Sequence, residues 1–470
     1  MFLLRWLAAV LAGVSERWYR MRPAVVLTTY YRDRIARGQT ELIVAVDFRP
    51  RGFKTGQNCG FERHIVVFID ASGSMAGAWI ERARKAASAA VRQIAPCDSF
   101  TVIAFADTAW IVCEAASLPD DALEHEITAR WAEADEAISR LEAMSPPVGA
   151  GGNTNYEAGL DLGFEVFDNS GATEGQGLFL SDGQMTHGNL DVALGRIRDG
   201  RKNGKVFSIA CRRIGRGLSV KPLKEICAAT FGGKVGVLHD DTDLESEFAQ
   251  WVGAIYGTTL NQVRLHIRTD EGVELTSLLQ TEPVVLPLTD QIHAIGDGEH
   301  VVHLGSMDNT RRQFCFRLAV RKPVLEGSPA RLALVHVDYE HHGERREDPR
   351  VGDITWPAAV LVRFKPGKPV GPVPPEVTVG LDKIHYVEEV DAGMSALEAG
   401  DTEGASRHLS AAAQIAIKYG AATELEALSE VGELDAETGT VEVKSVAELS
   451  RGSGTMRFHA ESSQTSFQND

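Results

Sequence analysis

Three observations predict an α/β protein: a doubly wound, mostly parallel sheet inserted in a β-sandwich domain, with a C-terminal helical region. From His64 to Tyr256 short apolar runs alternate with longer amphipathic ones, as strands joined by crossover helices do. On either side of that segment the apolar residues alternate between Gly, Pro and Asp turns, as in antiparallel sheets packed face to face. Beyond Glu376 the chain becomes Ala-rich at helical spacing.

Each element follows in order. In MFLLRWLAAVLAGVSERWYR, Leu3, Leu7, Val10, Val14 and Trp18 recur at helical spacing, and Arg5 sits inside the apolar run instead of before it. An amphipathic segment over 1–24 fits this better than a secretory signal; peripheral membrane contact through residues 1–20 and a cleaved leader are the alternatives. TELIVAVDFRP reads as a strand, and residues 25–60 are expected to pair with 260–366 to make the sandwich. The α/β unit, 61–259, opens with the buried strand HIVVFID and the helix AGAWIERARKAASAAVRQI. SFTVIAFAD and AWIVCEA form a hairpin about the dipeptide DT, and a long helix spans about Ala122 to Met144. GQGLFLSD, KVFSIACR and KVGVLHD are further strands, separated by the helices VALGRIRDG and VKPLKEICAATFGG and closed by LESEFAQWVGAIYG. VRLHIRT, VVLPL, HVVHLG, QFCFRLAVR, RLALVHVDYE and AVLVRFK return to the sandwich. KPGKPVGPVPPE (365–376) is a Pro-rich linker. The helical region, 377–434, holds two longer helices and a shorter one near Thr423–Val431, and 435–470 is a strand followed by a mobile tail.

Composition narrows the function. The chain of 470 residues has 48 basic against 65 acidic residues, a formal charge of −17, which argues against nucleic-acid binding. The charge is uneven: residues 1–55 carry ten basic and four acidic residues, residues 376–470 six and eighteen. No apolar run is long enough for a transmembrane helix. The six cysteines show no metal-ligand spacing, so reduced thiols and a cytoplasmic setting are expected.

The chemistry lies in three segments. HIVVFID runs straight into ASGSM, giving Asp70-x-Ser72-x-Ser74 at the carboxyl end of the first strand of the α/β unit. The Gly-rich GAGGNTN presents Thr154, and GLFLSDG ends a later strand at Asp182. In doubly wound sheets ligands bind at the carboxyl edge, where all three segments are expected. Three hydroxyls and two carboxylates suit a hard divalent cation, Mg²⁺ more than Zn²⁺, with Mn²⁺ or Ca²⁺ as alternatives. The competing explanation for each loop taken singly is helix capping by Ser, Thr or Asp. PVGAGGNTN lacks the GK[ST] of a phosphate loop, and Ser181 and His187 do not make a nucleophile elbow. His336, Asp338, Glu340, His341 and His342 could hold a transition metal, but read first as a solvated sheet face or turn.

DASGS, the threonine of GGNTN and the aspartate of LSDG together resemble the von Willebrand factor A domain, whose metal-ion-dependent adhesion site has these parts in this order. The resemblance implies that Ser72, Ser74 and Thr154 bind the metal directly and that Asp70 and Asp182 act largely through water. It further implies a non-enzymatic, metal-dependent interaction in which a protein partner supplies an Asp or Glu to the ion. The order of regions, with DAETGTV at 435–441, also resembles actinobacterial intracellular proteins linked to kinase and phosphatase signalling or to tellurium-resistance-type stress systems. A metal-dependent phosphohydrolase using Asp70 and Asp182, and a secreted or surface adhesin, are the alternatives.

Overall fold

The computed structural model describes residues 24–36, 41–51, 63–119, 121–142, 152–183, 185–214, 221–231, 235–238, 242–257, 260–283, 285–308, 310–321, 329–341, 344–348, 359–365 and 373–443. The amphipathic segment over 1–24 (all but Ala24), most of the linker, Cys59 and the tail beyond residue 443 lie outside them. The chain divides into two compact units: 1–57, 257–283 and 288–378 form one, and 58–256, 284–287 and 379–470 the other. Among the described residues no helix is long and apolar enough to cross a membrane.

In the first unit, strands β1 (Ala24–Tyr31), β2 (Arg34–Ala36) and β3 (Glu41–Arg51) come before the α/β segment. That segment contributes β4 (Arg63–Asp70), α1 (Ala78–Gln93), β5 (Ser99–Phe105), β6 (Ala109–Ala115), α2 (Glu124–Ser139) and α3 (Tyr156–Asn169). It continues with β7 (Glu174–Ser181), α4 (Leu190–Lys202), β8 (Val206–Ile214), α5 (Lys221–Thr230), β9 (Gly236–Leu238) and α6 (Leu244–Tyr256). The strand order is β6-β5-β4-β7-β8-β9. All neighbours run parallel except β6, which closes the expected hairpin with β5. The chain leaves β4 for β5 on one side and later returns to β7 on the other. The switch point therefore falls between β4 and β7, where such sheets open a crevice at their carboxyl ends.

Period-two alternation explains why both sheet faces can be covered. Along β4, Ile65, Val67 and Ile69 pack with the Ala83, Ala87 and Ala90 stripe of α1 and with Phe248 and Val252 of α6. Val66 and Phe68 point the other way, among Leu160 and Phe167 of α3 and Ile197 of α4. Helix α3 lies unusually close to the sheet because it carries glycine where it crosses. A Cβ on Gly163 would stand 2.2 Å from the Phe68 ring, and one on Gly159 3.0 Å from Phe105. The helix that follows the Thr154 loop is thereby pressed against β4 and β5.

The remaining strands of the first unit are β10 (Leu260–Thr269), β11 (Val273–Glu282), β13 (His293–Gly296), β14 (Glu299–Met307), β15 (Arg312–Val320), β16 (Pro329–His341), β17 (Glu344–Asp348) and β18 (Ala359–Lys365), the short β12 (Leu286–Pro287) intervening. They build one sheet containing β1-β3-β15-β11 and a second ordered β13-β14-β10-β16-β18-β2, with β17 on β16. Strands from before the α/β segment pair with strands from after it: Phe48 of β3 faces Arg312 of β15, and Ile35 of β2 faces Phe364 of β18. The Tyr31 hydroxyl ties the two sheets, donating to the Ala359 carbonyl at 3.3 Å and accepting from the Leu361 N–H at 2.9 Å. Asp47, fully buried on β3, is neutralised by Arg311 (2.8 Å) and Arg49 (2.6 Å).

The C-terminal helices are α7 (Pro375–Glu398), α8 (Thr402–Lys418) and α9 (Ala422–Val431), followed by the hairpin β19 (Gly432–Asp435) and β20 (Thr440–Val443). Helix α7 starts inside the stretch read as linker, because Pro375 occupies the first helical position, where proline's missing N–H costs nothing. Tyr386, Leu409, Ala413, Leu428 and Val441 make a separate core for this region. Residues from Val379 onward group with the α/β unit, and Lys224 of α5 stands 3.8 Å from Asp391 of α7.

Candidate metal centre

Asp70 is the last residue of β4, and its neighbours at the switch point are the ends of β5 and β7. Three loops meet there and are stitched to one another by backbone hydrogen bonds. The Gly73 N–H donates to the Gly152 carbonyl (3.1 Å), joining the Asp70–Ser74 turn to the Thr154 loop. The Thr154 carbonyl accepts from both Thr186 and His187 N–H groups at 3.0 Å, joining that loop to the one carrying Asp182. The Thr154 N–H in turn donates to the Thr186 hydroxyl at 2.8 Å. Ala71 and Asn155 donate at 2.8 Å to the carbonyls of Phe105 and Ala106, fixing two of the loops to the end of β5. Asp70, Ser72, Ser74, Thr154 and Asp182 are thus all carried on this one loop cluster. Ser74 is exposed; Asp70, Ser72, Thr154 and Asp182 are buried.

Helix capping does not account for these residues. The 3₁₀ turn Gly73–Met75 follows Ser72 without a side-chain cap, and the Ser72 hydroxyl faces that of Ser74 at 3.0 Å. Helix α3 is capped by Asn155 and not by Thr154, and α4 by Asn189 and not by Asp182. The hydroxyls and the second carboxylate therefore have no local structural task of the capping kind.

The electrostatics centre on Asp70, which is fully buried. Its Oδ1 accepts from the Ser72 N–H at 3.0 Å and its Oδ2 from the Ser181 hydroxyl at 2.6 Å. Burial pushes its carboxyl up to about 7; the Ser181 and Ser72 donors pull back and the nearby Asp182 charge adds to the rise. The Ser181 hydroxyl has a single proton, directed at the Asp70 carboxylate, so the Tyr156 hydroxyl 2.6 Å away is the donor to Ser181. A relay Tyr156–Ser181–Asp70 runs beneath the loops, with the Gly183 N–H also donating to Ser181 (3.2 Å). The Tyr156 phenol is held well above its usual value, chiefly by burial and then by the Asp70 charge. Arg213, buried on β8, has its guanidinium brought down to about 10 by burial, against the opposing pull of Asp182.

Three of these contributors escape a reading of the sequence. Ser181 reads as the end of a buried strand, and neither Tyr156 nor Arg213 belongs to a motif. The signal for Ser181 was its place directly before Asp182 on the strand beside β4; only the register makes it a partner of Asp70.

No family model matches the chain. A von Willebrand factor type A protein from Catenulispora acidiphila superimposes with a TM-score of 0.77, covering 95% of this chain and 97% of that one at 20% identity. The ArnB paralog VWA2 from Sulfolobus acidocaldarius gives a TM-score of 0.50 over 94% and 99% of the two chains at 15% identity. In sequence, inter alpha-trypsin inhibitor heavy chain 4 of Mus musculus is 23% identical over 229 residues, which are 46% of this chain and 22% of the mouse protein. The chain has the von Willebrand factor A fold and carries further sheets and C-terminal helices besides.

Proposed function

We propose, on the premise of the von Willebrand factor A fold, that this protein is a non-enzymatic, metal-dependent interaction module. Ser72, Ser74 and Thr154 would hold a divalent ion directly and Asp70 and Asp182 largely through water, with Mg²⁺ the best match to hard oxygen donors. The observation that carries this reading is the buried Asp70 carboxylate, raised to about 7, among hydroxyls of Ser72 and Ser74 only 3.0 Å apart. A cation at that point supplies the positive charge the carboxylate lacks, and the capping explanation for the hydroxyls has failed. When bound, the ion would supply a Lewis-acidic contact for an Asp or Glu of a partner protein. Ser72 and Ser74 orient lone pairs, the Ser181–Tyr156 relay keeps Asp70 in its rotamer, and the interlocked loops hold the donors without rearrangement.

A cytoplasmic setting belongs to the same proposal and is supported by the unbridged thiols of Cys97, Cys113, Cys211, Cys227 and Cys315. The phosphohydrolase alternative has less support, since Ser72 stands two residues after Asp70 where a second carboxylate would serve that chemistry. The test is affinity capture with the full chain beside Asp70→Ala, each with Mg²⁺ and with EDTA. The reading expects a partner retained only by the wild-type protein in Mg²⁺. A stable partner indifferent to both EDTA and Asp70→Ala refutes it.

A further inference from the structure

A second donor cluster sits in the other compact unit, on the β14-β10-β16 part of its larger sheet. β10 and β16 pair antiparallel with His266 directly opposite His336. On the other flank of β10, His266 faces Val301 and Arg268 faces Glu299 of β14. Because side chains alternate with period two, Glu299, His266 and His336 share one face of the sheet. The two imidazoles lie side by side, centroids 4.3 Å apart and planes within 13°. One donor atom from each of His266, Glu299 and His336 falls within 4.8 Å of the others.

The hydrogen bonding leaves these donors weakly tied. His266 Nδ1 stands 3.4 Å from Glu299 Oε1. Its Nε2 is buried 3.5 Å from Asp338 Oδ2, a long contact, and the side chain is only 8% exposed. His336 Nε2 is 3.7 Å from Glu347 Oε1. Each separation exceeds a good hydrogen bond of about 2.7–3.2 Å. Asp338, by contrast, is gripped by Arg264 and Arg345, and Arg345 also reaches Glu340, so those two guanidiniums are already balanced. Arg268 stands directly opposite Glu299 on this face.

We propose that His266, His336 and Glu299 form a binding site for a divalent transition-metal ion of the zinc class, distinct from the oxygen-donor centre at Asp70. Two imidazoles and a carboxylate are a donor set that suits Zn²⁺ or Co²⁺ and does not suit Mg²⁺. A tetrahedral ion with bonds of about 2.0–2.1 Å places its ligand atoms roughly 3.3 Å apart. The cluster would therefore close by on the order of an ångström, within reach of side-chain torsions alone. Glu347 or water completes the shell.

The experiment uses the full chain in excess Mg²⁺, which occupies oxygen-donor sites, and titrates Co²⁺ while recording its visible absorption, with metal content measured after desalting. One Co²⁺ per chain is expected in the wild type and equally in Asp70→Ala. Outer-shell partners alone are worth about 10–100-fold in metal affinity, so loss of a direct ligand in His336→Asn should weaken binding about a hundredfold or more. Glu299→Gln, at a residue whose side chain is 32% exposed, should weaken it too, and Zn²⁺ should displace the Co²⁺ signal. The proposal is overturned if wild type binds no Co²⁺ beyond what Asp70→Ala abolishes. It is equally overturned if folded Glu299→Gln and His336→Asn bind as the wild type does.

Discussion

Replacing Ser181 by alanine tests whether the buried relay supports the candidate metal centre. Asp70 accepts from the Ser181 hydroxyl at 2.6 Å and from the Ser72 N–H at 3.0 Å, so the Ser181 bond is the shorter of these two. A hydrogen bond to a charged group is worth about 1.5–3 kcal/mol. If that support is expressed in metal binding, the Kd for Mg²⁺ rises by roughly 10- to 150-fold, at about 1.4 kcal/mol per decade. The same substitution strands the Tyr156 hydroxyl, which is fully buried and donates to Ser181, so a stability loss of about 1–3 kcal/mol accompanies it. The assay is calorimetric titration of Mg²⁺ into Ser181→Ala beside the wild type, at a temperature where circular dichroism shows both folded. A folded variant whose Kd lies within about twofold of the wild type would mean that the relay serves packing only.

Three further outcomes follow from particular contacts. Gly163→Ala places a Cβ 2.2 Å from the buried Phe68 ring; overpacking of about 1–3 kcal/mol outweighs a helix-propensity gain of about 1 kcal/mol, so a lower urea midpoint is expected. His64, sandwiched between the hydroxyls of Ser99 (2.8 Å) and Thr101 (3.1 Å), is brought down by burial to about 4. Its folded value lies below the unfolded 6.5, so the unfolded chain takes up the proton first. The stability it contributes is complete above pH 6.5 and fades as pH falls toward 4, in all about 3 kcal/mol, and His64→Gln should flatten that part of the melting-temperature profile. Asp47→Asn breaks the pairs with Arg311 and Arg49; because those arginines are 39% and 42% exposed, the cost is discounted to about 2 kcal/mol and read as a lower midpoint of urea unfolding.

Local pattern carried much of the architecture. The hairpin about Asp107 and Thr108, the buried strand ending at Asp70 and Gly420, at φ 60° just past the end of α8, each follow from side-chain periodicity or backbone preference, which act over a few residues. That Asp70, Ser72, Ser74, Thr154 and Asp182 lie on one cluster of loops was also legible, because doubly wound sheets deliver the carboxyl ends of all parallel strands to one edge, so sequence order alone brings those loops together. Some element ends moved: α7 begins at Pro375 because proline suits a first turn, and α2 stops at Ser139 instead of running to Met144.

What the sequence by itself determined is therefore whatever depends on neighbours along the chain or on the order of strands. Which side chain meets which across a sheet depends on register, and a shift of one residue would turn every side chain to the opposite face. Ser181 becomes the donor to Asp70 because β7 lies beside β4 with Leu180 opposite Ile69. His336 reads as one polar residue on a solvated strand until the β10–β16 register sets His266 against it, seventy positions earlier in the chain. The pKa of Asp70 likewise has no meaning in the sequence. It arises from desolvation, and desolvation exists only once both sheet faces have been covered.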